Sequence, residues 1–332
     1  MQSRHERKRQ RRILITLLIG IAVLFAALIV LFIVDRYYTN RSVAFRTEDA
    51  DVEIYRAKKW ENFVIKGVNM SGDDITQSGP ALKNVYAKLF RRLAARDINV
   101  IRLDTVFSPE FYRAFFEYNS MTNKPLYLLQ GVRPDLQNIR TYRNAYEPRL
   151  NADFTDTIRR TIDVIHGKAD RDKTSSARTA SGQSAGKPAG QVSGKYNLDV
   201  SPYVIGYNFL CAAEDAQFVI LTNQKNPDVM GFEGDYFYTE SAEPYEAWLA
   251  AVANFAVSYE QDKYGGPNRL VSWMGWNAAE PIRQVDKSDT SGSQKDNAVA
   301  VNIDRIKLTG RFNAGILEPR QLREKFAGYN EF

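Results

Sequence analysis

The strongest pattern in the chain is an uninterrupted apolar run, Ile13–Val34, that holds one threonine and no charged residue. Its length matches the roughly 20 residues that an α-helix needs to cross a bilayer. A cleavable signal peptide has an apolar region of about 7–15 residues followed by small residues. This run is longer, and Asp35 and Arg36 follow it. The pattern therefore predicts an uncleaved transmembrane helix, and it disfavours the alternative of a buried core helix.

Farther along, short apolar runs alternate with helical patterns. From Pro80 to about Arg96, apolar residues recur at the i, i+3, i+4, i+7 spacing of an amphipathic helix. Ser108-Pro109-Glu110 combines a hydroxyl, a proline and an acid, as helix starts do. The β-α-β-α-β alternation predicts an α/β fold with a parallel sheet. The first three predicted strands lie within Phe63–Met70, Asn99–Phe107 and Leu126–Val132.

The stretch Tyr203–Asp215 is the central element of the predicted fold. It begins as an apolar and aromatic run, as a strand buried on both faces does, and it ends in two acids, Glu214 and Asp215. Parallel α/β barrels build their active sites from residues at the carboxyl ends of such strands. A later run, Leu270–Trp276, predicts another strand, and Asn277 follows it directly.

Rare residue types limit the possible chemistry. Cys211 is the single cysteine, which excludes an internal disulfide and a cysteine-rich zinc site. The two histidines are His5, in the basic tail, and His166, whose position before Gly167 at the end of a helical pattern favours a helix cap. Carboxylates are therefore the plausible catalytic groups, and no cofactor or metal is expected.

The formal net charge of +6 is concentrated at the start of the chain. Residues 1–12 carry six basic side chains and one glutamate, which is +5, so the other 320 residues carry about +1. The charge therefore predicts no nucleic-acid-binding surface. A basic cluster before a transmembrane helix predicts a cytoplasmic N-terminus and an extracellular C-terminal domain at the cell membrane.

These patterns predict a division of the chain into segments. Residues 1–12 form a basic cytoplasmic tail, 13–34 a transmembrane anchor, 35–61 a stalk and 62–332 an extracellular domain. Inside that domain, residues 168–195 are rich in Gly, Ser, Ala and Lys and have no aromatic residue, which predicts a mobile insertion.

Three segments, Phe63–Met70, Asn99–Asn119 and Ser201–Leu210, resemble retaining glycoside hydrolases with a TIM barrel. The likeness is greatest to the family 2 type barrel and to the β-glucan-remodelling glucanosyltransferases, and it runs from about Asn62 to Ile282. The resemblance depends on the order of these segments along the chain. The resemblance implies a (β/α)8 TIM-barrel-like domain. The apolar run at Ile13–Val34 predicts one transmembrane helix before this domain, and the absence of a further apolar strand pattern predicts that the barrel is incomplete at its C-terminus.

The resemblance also implies catalytic roles. Glu214 matches the acid/base glutamate after the fourth strand, although Ala213 stands where those families place an asparagine and Asp215 is an equal neighbour. Arg102 matches the arginine that contacts the nucleophile. The nucleophile itself has no match after the strand at Leu270–Trp276.

The downstream glutamates in a loosely suitable place are Glu280 and Glu318. The residues predicted to contact a sugar are Asn69, Tyr207, Trp276 and Asn277.

Each assignment has a structural alternative. Glu214 suits a helix N-terminus, where the helix dipole favours an acid. Arg102 can pair with Asp104, and Asn69 can cap a loop. The aromatic residues can belong to the core, as aromatic side chains more often do.

Two functional hypotheses follow. The first is a membrane-anchored extracellular glycoside hydrolase or transglycosylase that acts on a β-linked glycan through two carboxylates. The second is a catalytically inactive barrel that binds a glycan or a protein at the cell surface. Both hypotheses predict contact with the membrane through the N-terminal helix. The first predicts a carbohydrate substrate, and the second predicts a carbohydrate or a protein ligand.

Overall fold

The computed structural model describes residues 14–31, 44–48, 51–56, 58–71, 81–170, 195–209, 216–273, 301–317 and 325–328. The chain divides into two compact units, Met1–Val43 and Ala44–Phe332. In the first unit, helix α1 spans Leu14–Leu31, has a mean hydropathy of 3.1 and is exposed along its length. Its length and composition fit a membrane anchor or a signal sequence.

The larger unit is a mixed α/β structure. Its strands are β1 (Phe45–Glu48), β2 (Asp51–Arg56), β3 (Lys59–Asn62), β4 (Gly67–Met70), β5 (Val100–Leu103), β6 (Tyr127–Val132), β7 (Ala169–Asp170), β8 (Lys195–Tyr196), β9 (Val204–Phe209), β10 (Phe237–Thr239), β11 (Leu270–Trp273), β12 (Ile306–Leu308) and β13 (Phe326–Gly328). Its helices are α2 (Leu82–Ala95), α3 (Pro109–Met121), α4 (Leu136–Tyr142), α5 (Pro148–Ile165), α6 (Ala216–Lys225) and α7 (Pro244–Tyr264).

A parallel sheet forms the centre of this unit. Its strand order is β11-β9-β6-β5-β4-β13, in which five strands make the body and the three-residue β13 extends one edge. All neighbours pair in parallel. Every residue of β5, β6, β9 and β11 is buried, because a parallel sheet is covered on both faces.

The helices owe their positions to apolar faces and local caps. In α2, Tyr86, Phe90 and Leu93 are among the residues that bury one face. Proline occupies the first turn of α3, α5 and α7, where it leaves no extra backbone donor without a partner. Helix α7 has a reciprocal cap between Glu243 and Glu246, and it ends at Gly265 in a left-handed conformation with φ of 59°.

An antiparallel sheet of β1, β2 and β3 packs at the amino edge of the central sheet. Phe45 contacts the ring of Tyr127, the first residue of β6, with ring centroids 5.2 Å apart. The backbone N–H of Thr47 donates to the carbonyl of Ala314 at 2.7 Å. Gly315 follows with φ of +106°, and a side chain there would overlap Thr47 Oγ1, so this contact requires glycine.

The local structure differs from the sequence predictions in several places. Residues 133–150, whose polar and aromatic composition predicts a loop, contain α4 and the start of α5. The segment predicted to be a stalk, in which Val52–Tyr55 favours a short strand, contains β1, β2 and most of β3, and Val52 and Ile54 of β2 are buried. Residues 171–194 of the predicted mobile insertion lie outside the described residues, and β7 and β8 pair antiparallel on either side of them.

The parallel α/β architecture agrees with the predicted fold class at this coarse level. Ile316 forms a parallel bridge with Val271 beside β11, and β13 lies at the other edge. Within the described ranges no pairing joins these two edges, so the described sheet is open and does not by itself make a closed barrel.

Candidate functional site

Polar side chains collect on one face of the central sheet towards its carboxyl edge. Asn69 pairs in register with Arg102, and Asn208 pairs with Ser272. The registers across β6 and β9 place all four on the same face, because side chains two residues apart on a strand share a face. Asn69 and Arg102 lie at the level of Gly206, two residues before Asn208 on β9, so the four residues occupy two successive levels of this face. We call these four residues the polar row.

Asn208 and Ser272 form the buried part of the polar row. Both are fully buried, and Ser272 Oγ donates to Asn208 Oδ1 at 2.9 Å. Asn208 Nδ2 is buried without a hydrogen-bond partner in the part of the chain that the structure describes, and so is Asn69 Oδ1. Buried polar atoms in native proteins usually have partners, so these two atoms make the polar row a candidate site for a polar ligand.

Arg102 lies between the two asparagines and is 5% exposed. Burial lowers the pKa of Arg102 to about 10, against the opposing effect of Asp104, so the guanidinium stays charged at neutral pH. Its Cζ lies 5.7 Å from the ring centroid of Phe326 in β13. The polar row therefore contains a fixed positive charge in a sheltered position.

Charged and hydroxyl groups continue the site at the strand ends. Ser71 Oγ donates to Asp104 Oδ2 at 3.3 Å, and Arg133 Nη1 lies 3.8 Å from the same oxygen. These residues follow β4, β5 and β6 directly. Since the carboxyl ends of parallel strands lie at one edge, they form a rim beside the polar row.

The structure brings two of the predicted site residues, Asn69 and Arg102, into this row. The acid/base candidate Glu214 and its neighbour Asp215 lie outside the described residues. So do the predicted sugar contacts Trp276 and Asn277, and the downstream glutamates Glu280 and Glu318.

Tyr207 takes a different position from the one expected of a sugar contact. It is fully buried on the opposite face of β9 from Asn208, and its hydroxyl donates to Glu260 Oε2 in α7 at 2.6 Å. Burial and the Glu260 carboxylate raise the pKa of Tyr207 well above its usual value. Its placement is that of a core residue, which was the alternative interpretation for the aromatic residues.

Glu260 is the centre of a buried ionic cluster. Its Oε1 accepts from Arg269 Nε at 2.7 Å and lies 2.8 Å from His166 Nε2. Arg269 Nη1 also donates to the carbonyls of Ser201, at 2.9 Å, and Val204. Arg269 precedes β11 and Ser201 precedes β9, so the cluster lies towards the amino edge and fixes α7 to the sheet.

His166 has two roles in this arrangement. It is the C-cap residue of α5, as its position before Gly167 predicted. Its ring also stacks on Tyr264, with centroids 3.8 Å apart, and contacts the Glu260 carboxylate. Its role is therefore part of the packing between α5 and α7.

Sequence reasoning missed Asn208 and Ser272. The available indication was that each is a polar residue inside an otherwise apolar strand. No group of three or more His, Cys, Asp or Glu side chains is placed to hold a metal ion among the residues with described positions.

Comparisons with known proteins give distant likenesses in fold. No family model and no curated protein matches the chain. The chain is similar to the GH2 β-galacturonidase from Eisenbergiella tayi bound to galacturonate, at 14% identity and a TM-score of 0.36, over 70% of this chain and 28% of that one. It is also similar to BpGH50, at 11% identity and a TM-score of 0.27, over 69% of this chain and 51% of that one. The chain thus spans about half or less of each of these structures.

Proposed function

We propose that the domain from residue 62 onwards is a TIM-barrel-like glycoside hydrolase or transglycosylase that acts on a β-linked glycan. In this proposal Glu214 is the acid/base residue and Arg102 holds the second carboxylate by charge-assisted hydrogen bonds. Asn69, Trp276 and Asn277 contact the sugar. The mechanism is retaining, with the two carboxyl groups roughly 5–5.5 Å apart.

The observation that carries the proposal is a pair of amide atoms in the polar row that have no hydrogen-bond partner among the described residues. Asn208 Nδ2 is a donor and Asn69 Oδ1 is an acceptor, and both are buried. A sugar hydroxyl is a donor and an acceptor at once. A buried polar atom without a partner costs about 1–3 kcal/mol, so a ligand rich in hydroxyl groups removes that cost when it binds.

The rim supports the same class of ligand. Asp104 accepts from Ser71 and lies beside Arg133, so the rim offers both donors and acceptors around the polar row. A glycan chain extends beyond a single sugar unit and can use such a rim. The acid/base residue of this proposal needs a raised pKa, which burial or a neighbouring negative charge provides.

Turnover of defined oligosaccharides by the full-length chain in lipid nanodiscs tests the proposal. A panel of β-1,3-, β-1,4- and β-1,6-linked oligosaccharides is incubated with the protein, and products are identified by mass spectrometry. We expect Glu214→Gln to lower turnover by roughly 100-fold or more, because general acid–base catalysis contributes that much. Glu117→Gln, which removes an ion pair with Lys83 on a helix surface, is the matched control and should retain activity.

Binding to the same panel separates the two hypotheses. Saturation-transfer NMR detects binding whether or not turnover occurs. Binding without turnover in the wild type selects the inactive glycan-binding module over the enzyme. The absence of both binding and turnover for every linkage overturns both forms of the carbohydrate proposal.

The catalytically inactive binding module is the second candidate function. Asp104, at the end of β5, is already engaged by Ser71 and Arg133. A binding module needs the polar row and the rim but no second carboxylate. The polar row alone therefore suffices for this alternative.

We further propose that α1 is an uncleaved anchor with a cytoplasmic N-terminus and an extracellular larger unit, as the basic tail favours. Single cysteines in a Cys211→Ser background test this orientation. Met121, which is 86% exposed, is replaced by cysteine in one variant and Ser3 in another. A membrane-impermeant maleimide should label intact cells through Met121→Cys and not through Ser3→Cys. The reverse pattern, or a chain shortened at its N-terminus, contradicts the proposal.

A further inference from the structure

A cleft of about 400 Å³ lies at the amino edge of the central sheet. One wall includes Asn268, which precedes β11, and another includes Phe45, which packs on the first residue of β6. The polar row lies towards the opposite, carboxyl edge. The cleft is therefore separate from the candidate site, and its volume is within the range of about 300–1,000 Å³ that small-molecule sites have.

Three side-chain amides form a hydrogen-bonded ladder along this cleft. Gln261 Nε2 donates to Asn268 Oδ1 at 3.0 Å, and Asn268 Nδ2 donates to Asn313 Oδ1 at 3.1 Å. The ladder fixes the orientation of each amide. It leaves the Asn313 amino group and Gln261 Oε1 without a protein partner among the described residues, so a ligand meets donors and an acceptor.

Aromatic side chains complete the lining. Trp60 is half-buried, with the Arg46 guanidinium 4.4 Å above its ring centroid and the Tyr55 ring 5.3 Å away. Tyr236 is also half-buried and lies edge-to-face against Phe312. These rings are held in place before any ligand arrives, which reduces the entropy lost on binding.

The charges around the cleft are already paired within the protein. Arg311, which lines the cleft, lies 2.7 Å from Asp235. Arg46, which covers Trp60, lies 2.7 Å from Glu53. Among the described residues, the cleft therefore offers aromatic surface, amide groups and a guanidinium that is already paired, which is the chemistry that suits an uncharged ligand with hydroxyl groups.

We propose that this cleft is a second binding site and that it takes a neutral saccharide unit. The amides of Asn313 and Gln261 bond the hydroxyl groups, and the rings of Tyr236 and Trp60 contact the apolar C–H surface of the sugar. The site holds a glycan chain on the protein and takes no part in its cleavage. It does not depend on activity at the polar row.

Photoaffinity labelling of the full-length chain in nanodiscs tests this site. The probe is a neutral β-linked tetrasaccharide that carries a diazirine, and labelled peptides are mapped by mass spectrometry. We expect label on peptides that contain Tyr236 or Asn313, both in the wild type and in Glu214→Gln. The double substitution Tyr236→Ala with Asn313→Ala should weaken binding at this site at least tenfold.

Tyr238→Ala is the matched control, because Tyr238 is half-buried on the same segment but does not line the cleft. It should leave labelling at the cleft unchanged. Thermal midpoints of all variants are measured to confirm that they fold. Label confined to peptides of the carboxyl edge, or equal cleft labelling in the double variant and the control, overturns the second site and leaves the proposed function intact.

Discussion

Arg269 donates from Nε to Glu260 Oε1 at 2.7 Å, and each side chain is less than 5% exposed. The pair joins α7 to the start of β11 inside the protein. Buried ion pairs are sensitive to the loss of one member, because the remaining charge stays desolvated without compensation.

Replacing Glu260 by glutamine should destabilise the larger unit by about 3–5 kcal/mol, since Arg269 would then be a buried cation without its carboxylate. The free energy of unfolding in urea measures this effect. Asp156→Asn is the control, because Asp156 forms an ion pair with Arg159 at a half-exposed position. That control should change stability by less than about 1 kcal/mol, and a similar effect of both substitutions would refute the importance of the buried pair.

The Glu260 carboxylate should also make the protein less stable in acid. Burial raises the pKa of Glu260, but Arg269, His166 and Tyr207 outweigh it and lower the pKa from 4.5 to about 2. A lowered folded-state pKa gives stability that is complete above the unfolded value and is lost as the pH falls towards the folded value. Between about pH 5 and pH 2, the wild type should lose about 3 kcal/mol more than Glu260→Gln. Equal losses in the two proteins would contradict this assignment.

We expect the polar row to serve ligand binding and to add little to the free energy of unfolding. Replacing Asn208 by valine together with Ser272 by alanine removes both partners of their hydrogen bond and the unpartnered Nδ2 atom. We expect unfolding free energy to stay within about 1 kcal/mol of the wild type or to rise. Glycan binding at the polar row, measured by titration, should weaken at least tenfold.

Asn119 is a buried asparagine that serves as the control for this experiment. Its Nδ2 donates to the carbonyl of Leu126 at 3.1 Å, and its Oδ1 accepts from the backbone N–H of Leu126 at 2.8 Å. Asn119→Ala should therefore destabilise by about 1–3 kcal/mol and leave binding unchanged. A large loss of stability in the Asn208 double variant would show that its amide has a structural role instead.

Gly315 should not tolerate a side chain. Gly315→Ala combines a φ of +106° with overlap against Thr47 Oγ1, so it should destabilise by more than about 2 kcal/mol. Adding Thr47→Ala should recover part of this loss, because it removes the overlap but not the backbone strain. Gly310→Ala is the control, since a side chain there meets nothing within 4 Å. Thermal unfolding of the wild type and these three variants distinguishes the effects.

The central sheet was predictable because its strands are apolar runs of the right length. The sequence located β4, β5, β6, β9 and β11, and the start of α3, since Pro109 and Glu110 mark that start. Helix α4 was missed because it buries only Ile139, so its apolar pattern is weak. Its start depends on Asp135, which accepts from the backbone N–H of Gln137 at 2.7 Å.

The candidate site was predictable only in part. Asn69 and Arg102 stand at strand ends, where the sequence itself places them. The pairing of Asn208 with Ser272 depends on the register between two strands far apart in the chain, which no single strand encodes. Tyr207 was predicted to contact a sugar but lies in the core. A strand that is buried on both faces has no alternation of polar and apolar residues, so its sequence does not show which face a side chain occupies.

The pairing of β7 with β8 also matters for how this protein can change over time. Ala169 pairs with Tyr196 and Asp170 with Lys195, so the two ends of the intervening residues are held at the spacing of neighbouring strands. The entropy of closing a loop grows slowly with its length, about 0.6 kcal/mol for each doubling. Changing the number of residues between Asp170 and Lys195 should therefore cost little closure entropy. The same position is a suitable place to introduce an epitope or a fluorescent reporter domain.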